Sequence, residues 1–106
     1  LDLPFREALT VLATVISASP GAAVVDAGIK SVAQDHGLPT VDGAEVLYAS
    51  DEHLGLLTPE DRPLAVGDRV RVRPAHCDPT VALHDRFVVV RDDDVVDEWP
   101  IDLRNW

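Results

Sequence analysis

Short apolar runs alternate with turn-forming residues along the first half of the chain. Residues 8–17 are rich in β-branched side chains, and small and larger apolar positions alternate, which favours a strand over a helix. A second run, residues 22–28, follows a serine–proline–glycine turn signal and ends at a glycine, so it predicts a second strand. We expect residues 29–36 to be irregular or to form a single helical turn.

The runs in the next part of the chain are shorter. Residues 45–50 and 54–57 are strand candidates that a polar segment separates. Arginine and valine alternate over Arg69–Arg73, which predicts a strand with one buried face. Turn-forming residues at 41–43 and 58–63 indicate breaks between these strands.

The last part of the chain predicts a hairpin. Residues 86–91 and 95–99 are apolar runs on either side of three consecutive aspartates, Asp92 to Asp94, which predict a hydrated, acidic tip. Together, short strands that recur about every 8–12 residues indicate an all-β fold, a small antiparallel barrel or sandwich. The pattern leaves room for one short helix at residues 79–84.

Composition limits the class of protein. With 106 residues the chain is long enough for one domain, and 46% hydrophobic against 26% charged residues argues against disorder. The sequence has no apolar run of the roughly 20 residues that a membrane helix needs. A net charge of −10 repels phosphate backbones and anionic lipids, so neither nucleic acid nor a membrane is an expected partner. A single cysteine excludes an internal disulfide and fits the cytoplasm.

Two further features concern the extent of the chain and its chemistry. The sequence begins at Leu1 and contains no methionine, so we expect a domain cut from a longer chain or a processed remnant. It has only one lysine, Lys30, which any Schiff-base chemistry within this chain would have to use.

The strongest candidate for chemistry is the pair His76 and Asp78. In extended backbone, positions i and i+2 point to the same side, and Pro79 favours an extended conformation for the residue before it. One nitrogen and one hard oxygen donor on one face make half of a divalent-metal site. Cys77 would point to the opposite side, which predicts a small buried side chain rather than a ligand.

A polar cluster follows the second predicted strand. Asp26 and Gly28 are followed by Lys30 and Asp35. One interpretation is a strand end with a conformationally special glycine and a solvated lysine. The alternative is that the carboxylates and the lysine line a site.

Three other histidines lie along the chain. Glu52 and His53 fall between two predicted strands and could supply a ligand or a general base, although a lone histidine is more often structural. His36 and His84 have no informative neighbours, and we predict no role for them. The sequence contains no glycine-rich phosphate loop and no paired cysteines.

The order of these motifs resembles the C-terminal domain of the D-threonine aldolase and D-serine dehydratase family. The resemblance extends from about residue 9 to Trp106. It rests on the ordered series Val25-Asp26-Ala27-Gly28-Ile29-Lys30 with Asp35 and Gly37, Glu52-His53-Leu54-Gly55, Gly67-Asp68, His76-Cys77-Asp78-Pro79-Thr80-Val81 and Trp99-Pro100-Ile101-Asp102-Leu103-Arg104.

The resemblance implies a particular division of labour. Members of the family are fold-type III enzymes that use pyridoxal phosphate (PLP), held by a lysine of an N-terminal α/β barrel, here called the cofactor domain. A C-terminal β domain completes the active site, usually within a homodimer. Residues 1–106 then correspond to a single D-serine dehydratase-like β domain without the cofactor domain, which would be a partner in cis or in trans. Lys30 matches a different family motif, so no residue of this chain is expected to bind PLP.

The resemblance also implies a metal and a reaction. Dehydratase-like members place a cysteine two residues after the metal-binding histidine, which suits zinc, and aldolase-like members place an aspartate there, which suits manganese, magnesium or similar ions. Asp78 matches the aldolase pattern. The implied reaction is cleavage of a D-3-hydroxy amino acid to glycine and an aldehyde, with the metal on His76 and Asp78 binding the substrate hydroxyl. Asp26 and His53 are candidates for supporting residues.

The sequence departs from the family at two positions, since Leu54 replaces a usual glycine and His84 an often-found tyrosine. We expect the isolated domain to fold, to bind metal weakly and not to catalyse. No catalytic residue is assigned within it. Two alternatives remain, a D-serine dehydratase-type domain that uses the Cys77 thiolate and a free-standing, non-catalytic binding or assembly module.

Overall fold

The computed structural model describes residues 4, 6–102 and 104, and nearly all of its regular structure is β-strand. The strands are β1 Val11–Ser19, β2 Ala22–Val25, β3 Thr40–Val41, β4 Glu45–Ala49, β5 Leu54–Leu57, β6 Arg69–Arg73, β7 Arg86–Arg91 and β8 Asp94–Pro100, and the described helix is α1 Cys77–Val81. This helix is far too short to cross a membrane, and the described residues contain no other candidate span.

Six of the strands form one antiparallel sheet that nearly closes on itself. The strand order is β3-β6-β1-β2-β5-β4, so β3 and β4 lie at its two edges. A single bridge between Val41 and Ala44 joins these edges. The predicted all-β class is therefore confirmed, and of the two predicted architectures the sheet forms the barrel. Hereafter it is called the six-stranded barrel.

The core of the barrel follows from the alternation of side chains along its strands. Along β6, Val70 and Val72 are buried while the arginines at 69 and 71 are exposed, as the sequence pattern predicts. In β5 three consecutive residues are buried, because the ring of Tyr48 on β4 covers the outer face of Gly55. The buried hydrophobic residues are Ala13, Val15, Ala23, Val25, Ala27, Val32, Val41, Leu54, Leu56, Val70 and Val72.

Most predicted strands are confirmed, with one omission. The bounds of β5, β6 and β7 are those predicted, while β1 begins three residues later than expected and extends to Ser19. Strand β3 was not predicted, since residues 41–43 read as a break. It is only two residues long, and its pairing with β6 defines it. Residues 29–36 are irregular, with one turn in which Gly28 O accepts from Ser31 N and Val32 N.

Helix α1 begins two residues before the predicted position. Pro79 is the third residue of the helix, where a missing N–H removes no intrahelical hydrogen bond. The Thr80 hydroxyl donates to His76 O at 2.9 Å and closes this turn. Only His76 is extended, with φ −141° and ψ 118°, so the expectation that Cys77 and Asp78 continue an extended strand is wrong.

Strands β7 and β8 form a separate two-stranded sheet. Asp92 and Asp93 have φ of 50° and 69°, the left-handed values that a tight type I′ hairpin turn requires. The predicted exposed, acidic tip is confirmed. Among the described residues, no Cα atom of β7 or β8 comes within 8 Å of a Cα atom in another strand or in α1.

Candidate metal centre

Two connections meet on one side of the six-stranded barrel. The first joins β2 to β3, and the second joins β6 to β7 through α1. The backbone N–H of Ala33 donates to the buried Thr80 hydroxyl at 3.1 Å, and Nε2 of His84 donates to Ser31 O at 2.8 Å. These two hydrogen bonds fix the connections relative to each other.

The contact between the two connections brings three metal-ligating side chains together. Oδ2 of Asp35 lies 2.6 Å from Nδ1 of His76 and 2.9 Å from Nδ1 of His36. The two imidazole rings are 4.2 Å apart between centroids and tilted by 57°. Each residue offers one potential ligand atom, and these three atoms all lie within 4.8 Å of one another. We call Asp35, His36 and His76 the histidine–aspartate cluster.

The electrostatics of the cluster favour a charged carboxylate. The hydrogen bond from His76 lowers the pKa of the Asp35 carboxyl, His36 adds to the effect, and partial desolvation opposes it. Because an ionised carboxylate can only accept, both Nδ1 atoms must carry the hydrogen in these contacts. In the neutral rings the lone pair is then on Nε2, which is the atom available to a metal.

The donor set fits a divalent metal. Two imidazoles and a carboxylate suit zinc, and the oxygen donor also suits manganese. The three side chains are between 37% and 61% exposed, so water or a substrate can reach the cluster. The chain does not fit PLP in the same way, because its one lysine, Lys30, is exposed and its Nζ lies 3.2 Å from Oε1 of Glu52. An exposed, ion-paired lysine lacks the desolvation that activates Schiff-base lysines.

Asp78, the second residue of the predicted metal pair, does not belong to the cluster that contains His76. It lies exposed in the first turn of α1. Cys77 is exposed, so the prediction of a buried side chain is wrong. The reason is the early start of α1, which removes the strand-like alternation on which that prediction depended.

The two predicted supporting residues also lie outside this cluster. Oδ1 of Asp26 accepts a hydrogen bond from Thr14 N at 2.8 Å, beside the irregular register between β1 and β2. His53 is half-buried in the turn between β4 and β5, where it lines an open depression of about 680 Å³ with Lys30 and Glu52. Asp26 and Lys30 therefore share no hydrogen bond, and Lys30 is solvated, as the plainer interpretation expects. The conformationally special glycine of that interpretation is wrong, because Gly28 does not have a positive φ.

His36 is the residue that sequence reasoning missed. Asp35 and His76 are 41 positions apart, and only the folded connections bring them together. The available signal was the adjacent pair Asp35 and His36, two potential ligands in the segment after a family-like motif. The same segment contains the amide Nε2 of Gln34, a buried donor without a partner among the described residues.

Comparisons with known proteins agree with this fold. A protein family described as "Putative serine dehydratase domain" matches residues 8–90, which is most of the chain and includes the histidine–aspartate cluster. The chain belongs to this family. The resemblance drawn from the motif order is thus confirmed, although its last residues, 103, 105 and 106, lie outside the described part.

Named relatives of this serine dehydratase-type domain include larger enzymes. The chain is 43% identical over 104 residues to 3-hydroxy-D-aspartate aldolase of Paracoccus denitrificans, covering 94% of this chain and 27% of that protein. A crystal structure of D-threonine aldolase from Filomicrobium marinum superposes with a TM-score of 0.89 at 35% identity, covering 97% of this chain and 30% of that one. The chain thus spans less than a third of these relatives and is homologous to their C-terminal domain.

A third relative has a different length. An uncharacterised protein of Mycobacterium tuberculosis is 35% identical over 115 residues, which cover 95% of this chain and 86% of that protein. The serine dehydratase-type domain therefore also occurs in a protein of little more than its own size.

Proposed function

We propose that this chain is the metal-binding C-terminal domain of a PLP-dependent lyase that cleaves D-3-hydroxy amino acids to glycine and an aldehyde. The observation that carries the proposal is the fixed position of His76, with Asp78 following it, in a domain that matches two aldolases over nearly its full length. An aspartate two residues after the histidine is what the aldolase-like pattern requires.

His76 and Asp78 would hold the divalent ion, for which manganese, magnesium or a similar ion is suited and zinc is an alternative. The chemistry that such an ion supplies is acidification of the substrate's 3-hydroxyl group. The Asp35 carboxylate keeps the hydrogen of His76 on Nδ1 and so leaves the Nε2 lone pair for the metal. Asp26 and His53 stay predictions for supporting roles, and no catalytic residue is assigned within this chain.

PLP belongs to the proposed partner, the cofactor domain, in cis or in trans. When bound there, it supplies the electron sink that carbon–carbon cleavage needs. The absence of a suitable lysine among the described residues supports this division, and it leads us to expect no catalysis from residues 1–106 alone. A homodimer of the complete enzyme fits the family. The single cysteine, with no partner for a disulfide, supports a cytoplasmic location.

A chimera tests the proposal. This chain replaces the matched 27% of the Paracoccus aldolase. Glycine is measured after addition of PLP, manganese and either D-threonine or 3-hydroxy-D-aspartate. We expect glycine from at least one substrate, its loss in His76→Ala and Asp78→Ala, and little change in Asp61→Asn, which alters an exposed loop carboxylate. A chimera that binds PLP and folds but forms no glycine would contradict the proposal.

A second candidate is a free-standing binding or assembly module. The match to 86% of a mycobacterial protein favours it, because what lies outside the match is too short for an α/β barrel. An inactive but folded chimera would support this candidate. A dehydratase-type domain that uses Cys77 would instead release a keto acid and ammonia, so both products are measured beside glycine.

A further inference from the structure

We infer that His36 is a positioning residue for the proposed metal site, because it fixes the Asp35 carboxylate that orients the ring of His76. His76 and Asp78 remain the ligands, as in the proposed function on which this inference rests. The sequence pattern predicted no role for His36, and the aldolase-like pair of ligands does not contain it.

A single oxygen atom joins the two histidines. Oδ2 of Asp35 accepts a hydrogen bond from Nδ1 of His76 at 2.6 Å and another from Nδ1 of His36 at 2.9 Å. In the part of the chain that the structure describes, the Asp35 carboxylate has no other hydrogen-bond donor. Without His36, the carboxylate would therefore be held by the same ring that it has to orient.

The orientation of the His76 ring decides whether it can bind a metal through Nε2. A free neutral imidazole favours the tautomer with hydrogen on Nε2, and a fixed acceptor beside Nδ1 is what reverses this preference. The side chain of Asp35 is 46% exposed, so solvent competes for it and other rotamers are open to it. A second donor on the same oxygen keeps the carboxylate beside His76.

The fold places His36 where it can supply that second donor. Its ring centroid lies 4.2 Å from that of His76, and the 57° tilt between the rings lets both Nδ1 atoms reach one oxygen. His36 directly follows Asp35, in a segment that the hydrogen bond from Ala33 N to the buried Thr80 hydroxyl joins to α1. One anchored segment thus carries the carboxylate together with the imidazole that holds it.

Two simpler explanations of His36 make different predictions. If His36 is a surface histidine beside an acidic neighbour and nothing more, its removal changes nothing at His76. If His36 binds the ion itself, its removal weakens metal binding whether or not Asp35 is present. Positioning through Asp35 predicts a third pattern, in which removal of His36 has an effect when Asp35 is present and none when it is absent.

Nitrogen NMR of the histidine rings tests the orientation in the metal-free chain, at about pH 9, where neutral rings dominate. We expect the Nδ1-hydrogen tautomer for His76 in the unaltered chain and a shift towards the Nε2-hydrogen tautomer in His36→Ala. His36→Asn should restore the first tautomer, because its amide can donate from the position of Nδ1. Leu38→Ala, which shortens an exposed side chain of the same segment, is the control, and thermal melts confirm that each variant folds.

Calorimetric titration of manganese chloride into the same chains measures the consequence for the metal. We expect His36→Ala to weaken binding about fivefold, which corresponds to the loss of one net hydrogen bond. Asp35→Ala should weaken binding about tenfold or more. The double variant that combines the two changes should bind manganese as Asp35→Ala does, since His36 acts through that carboxylate.

Two outcomes overturn the inference. An unchanged His76 tautomer in His36→Ala would mean that Asp35 orients the ring alone, and a further loss of binding in the double variant would mean that His36 acts on the ion directly. The proposed function fails in a different way, through a folded chimera that forms no glycine or through manganese binding that survives both His76→Ala and Asp78→Ala. The ring signals of the metal-free chain decide the role of His36 in either case.

Discussion

The six-stranded barrel and the β7–β8 hairpin are built from similar valine-rich strands, yet in the described part of the chain only the barrel has a buried core. Val15, Val25 and Val72 in the barrel are at most 1% exposed, whereas Val95 and Trp99 in the hairpin are 65% and 54% exposed. A two-stranded sheet alone is only marginally stable in water. The stability of the fold therefore comes from the near closure of the six-stranded sheet, which buries one face of its strands.

The comparison also locates the support for the candidate site. His76 lies on the connection between the barrel and the hairpin, but its fixed contacts lead to the β2–β3 connection of the barrel through Thr80 and Asp35. Among the described residues, one side-chain hydrogen bond joins the hairpin to the barrel, from Arg71 Nη2 to Asp93 Oδ1 at 3.2 Å. The barrel should therefore hold the site in place without the hairpin.

The largest expected effect is from a cavity in the barrel. Leu54 is completely buried in β5, and Leu54→Ala should lower the free energy of unfolding by about 2–5 kcal/mol. Val95→Ala, in the hairpin, should change it by less than about 0.5 kcal/mol. Urea denaturation of both variants measures the difference. Equal losses would mean that the hairpin contributes as much to the fold as the barrel.

Two glycines, Gly28 after β2 and Gly55 in β5, should respond differently to the same change. A methyl group on Gly28 would collide with backbone atoms of residues 50–53, while the three atoms nearest to one on Gly55 all belong to the ring of Tyr48, which can move. We expect Gly28→Ala to destabilise by about 1–3 kcal/mol and Gly55→Ala by less. Thermal melts of the two variants test this order. A larger loss for Gly55→Ala would show that the Tyr48 ring is as rigid as the backbone.

The hydrogen bond from Ala33 N–H to the Thr80 hydroxyl, which joins the two connections beside the site, can be removed by one isosteric substitution. Thr80→Val leaves the Ala33 N–H without its acceptor, which should cost about 1 kcal/mol or more and weaken binding of the proposed divalent metal at His76. Thr40→Val, on an exposed strand position, is the matched control and should change neither property. If Thr80→Val keeps full metal affinity, the two connections do not need this hydrogen bond to align the donors.

The smallest expected effect is on the stability of the fold at low pH. Arg73 on β6 donates two hydrogen bonds to Asp42, at 3.2 and 3.0 Å, and these lower the pKa of the Asp42 carboxyl. Because the pKa of Asp42 is lower in the folded state, the pair stabilises the barrel at pH values above the unfolded-state pKa of about 3.9. This stabilisation is lost as the pH falls through the folded-state pKa. The small difference between the unaltered chain and Asp42→Asn should thus disappear in acid.

The hairpin provides the control for that acid effect. Arg86 and Glu98 form an exposed pair at 3.8 Å, for which a smaller contribution is expected. Urea denaturation of Asp42→Asn and Glu98→Gln at pH 7 and pH 3 compares them. A pH-dependent loss in Glu98→Gln equal to that in Asp42→Asn would contradict the distinction between the two regions.

The local sequence pattern was sufficient to predict a strand where polar and apolar residues alternate along it. The alternating arginines and valines of β6 predict both the strand and its buried face, and three aspartates predict the hairpin tip. Pattern failed where tertiary contacts decide. Strand β3 exists through its pairing with β6. The early start of α1 coincides with a hydrogen bond from the Thr80 hydroxyl to His76 O, which the strand-like pattern did not indicate.

The site shows the same limit. The order of motifs predicts His76 as a metal ligand, and the family match covers the segment that contains it. The position of His36 beside it depends on two connections far apart in the chain, so no spacing rule could predict it. Cys77 illustrates the reverse error, because a strand-like alternation was assumed where a helix begins.

The central claim is that the barrel, and not the hairpin, fixes the segment that carries the candidate site. Native-state amide hydrogen exchange of the unaltered chain tests it most directly. The account predicts that the Ala33 amide, bonded to Thr80, exchanges with an opening free energy close to that of Val15 in the barrel, and that the amides of β7 and β8 exchange at a lower one. Exchange of Ala33 together with the hairpin amides, well below that of Val15, would contradict it.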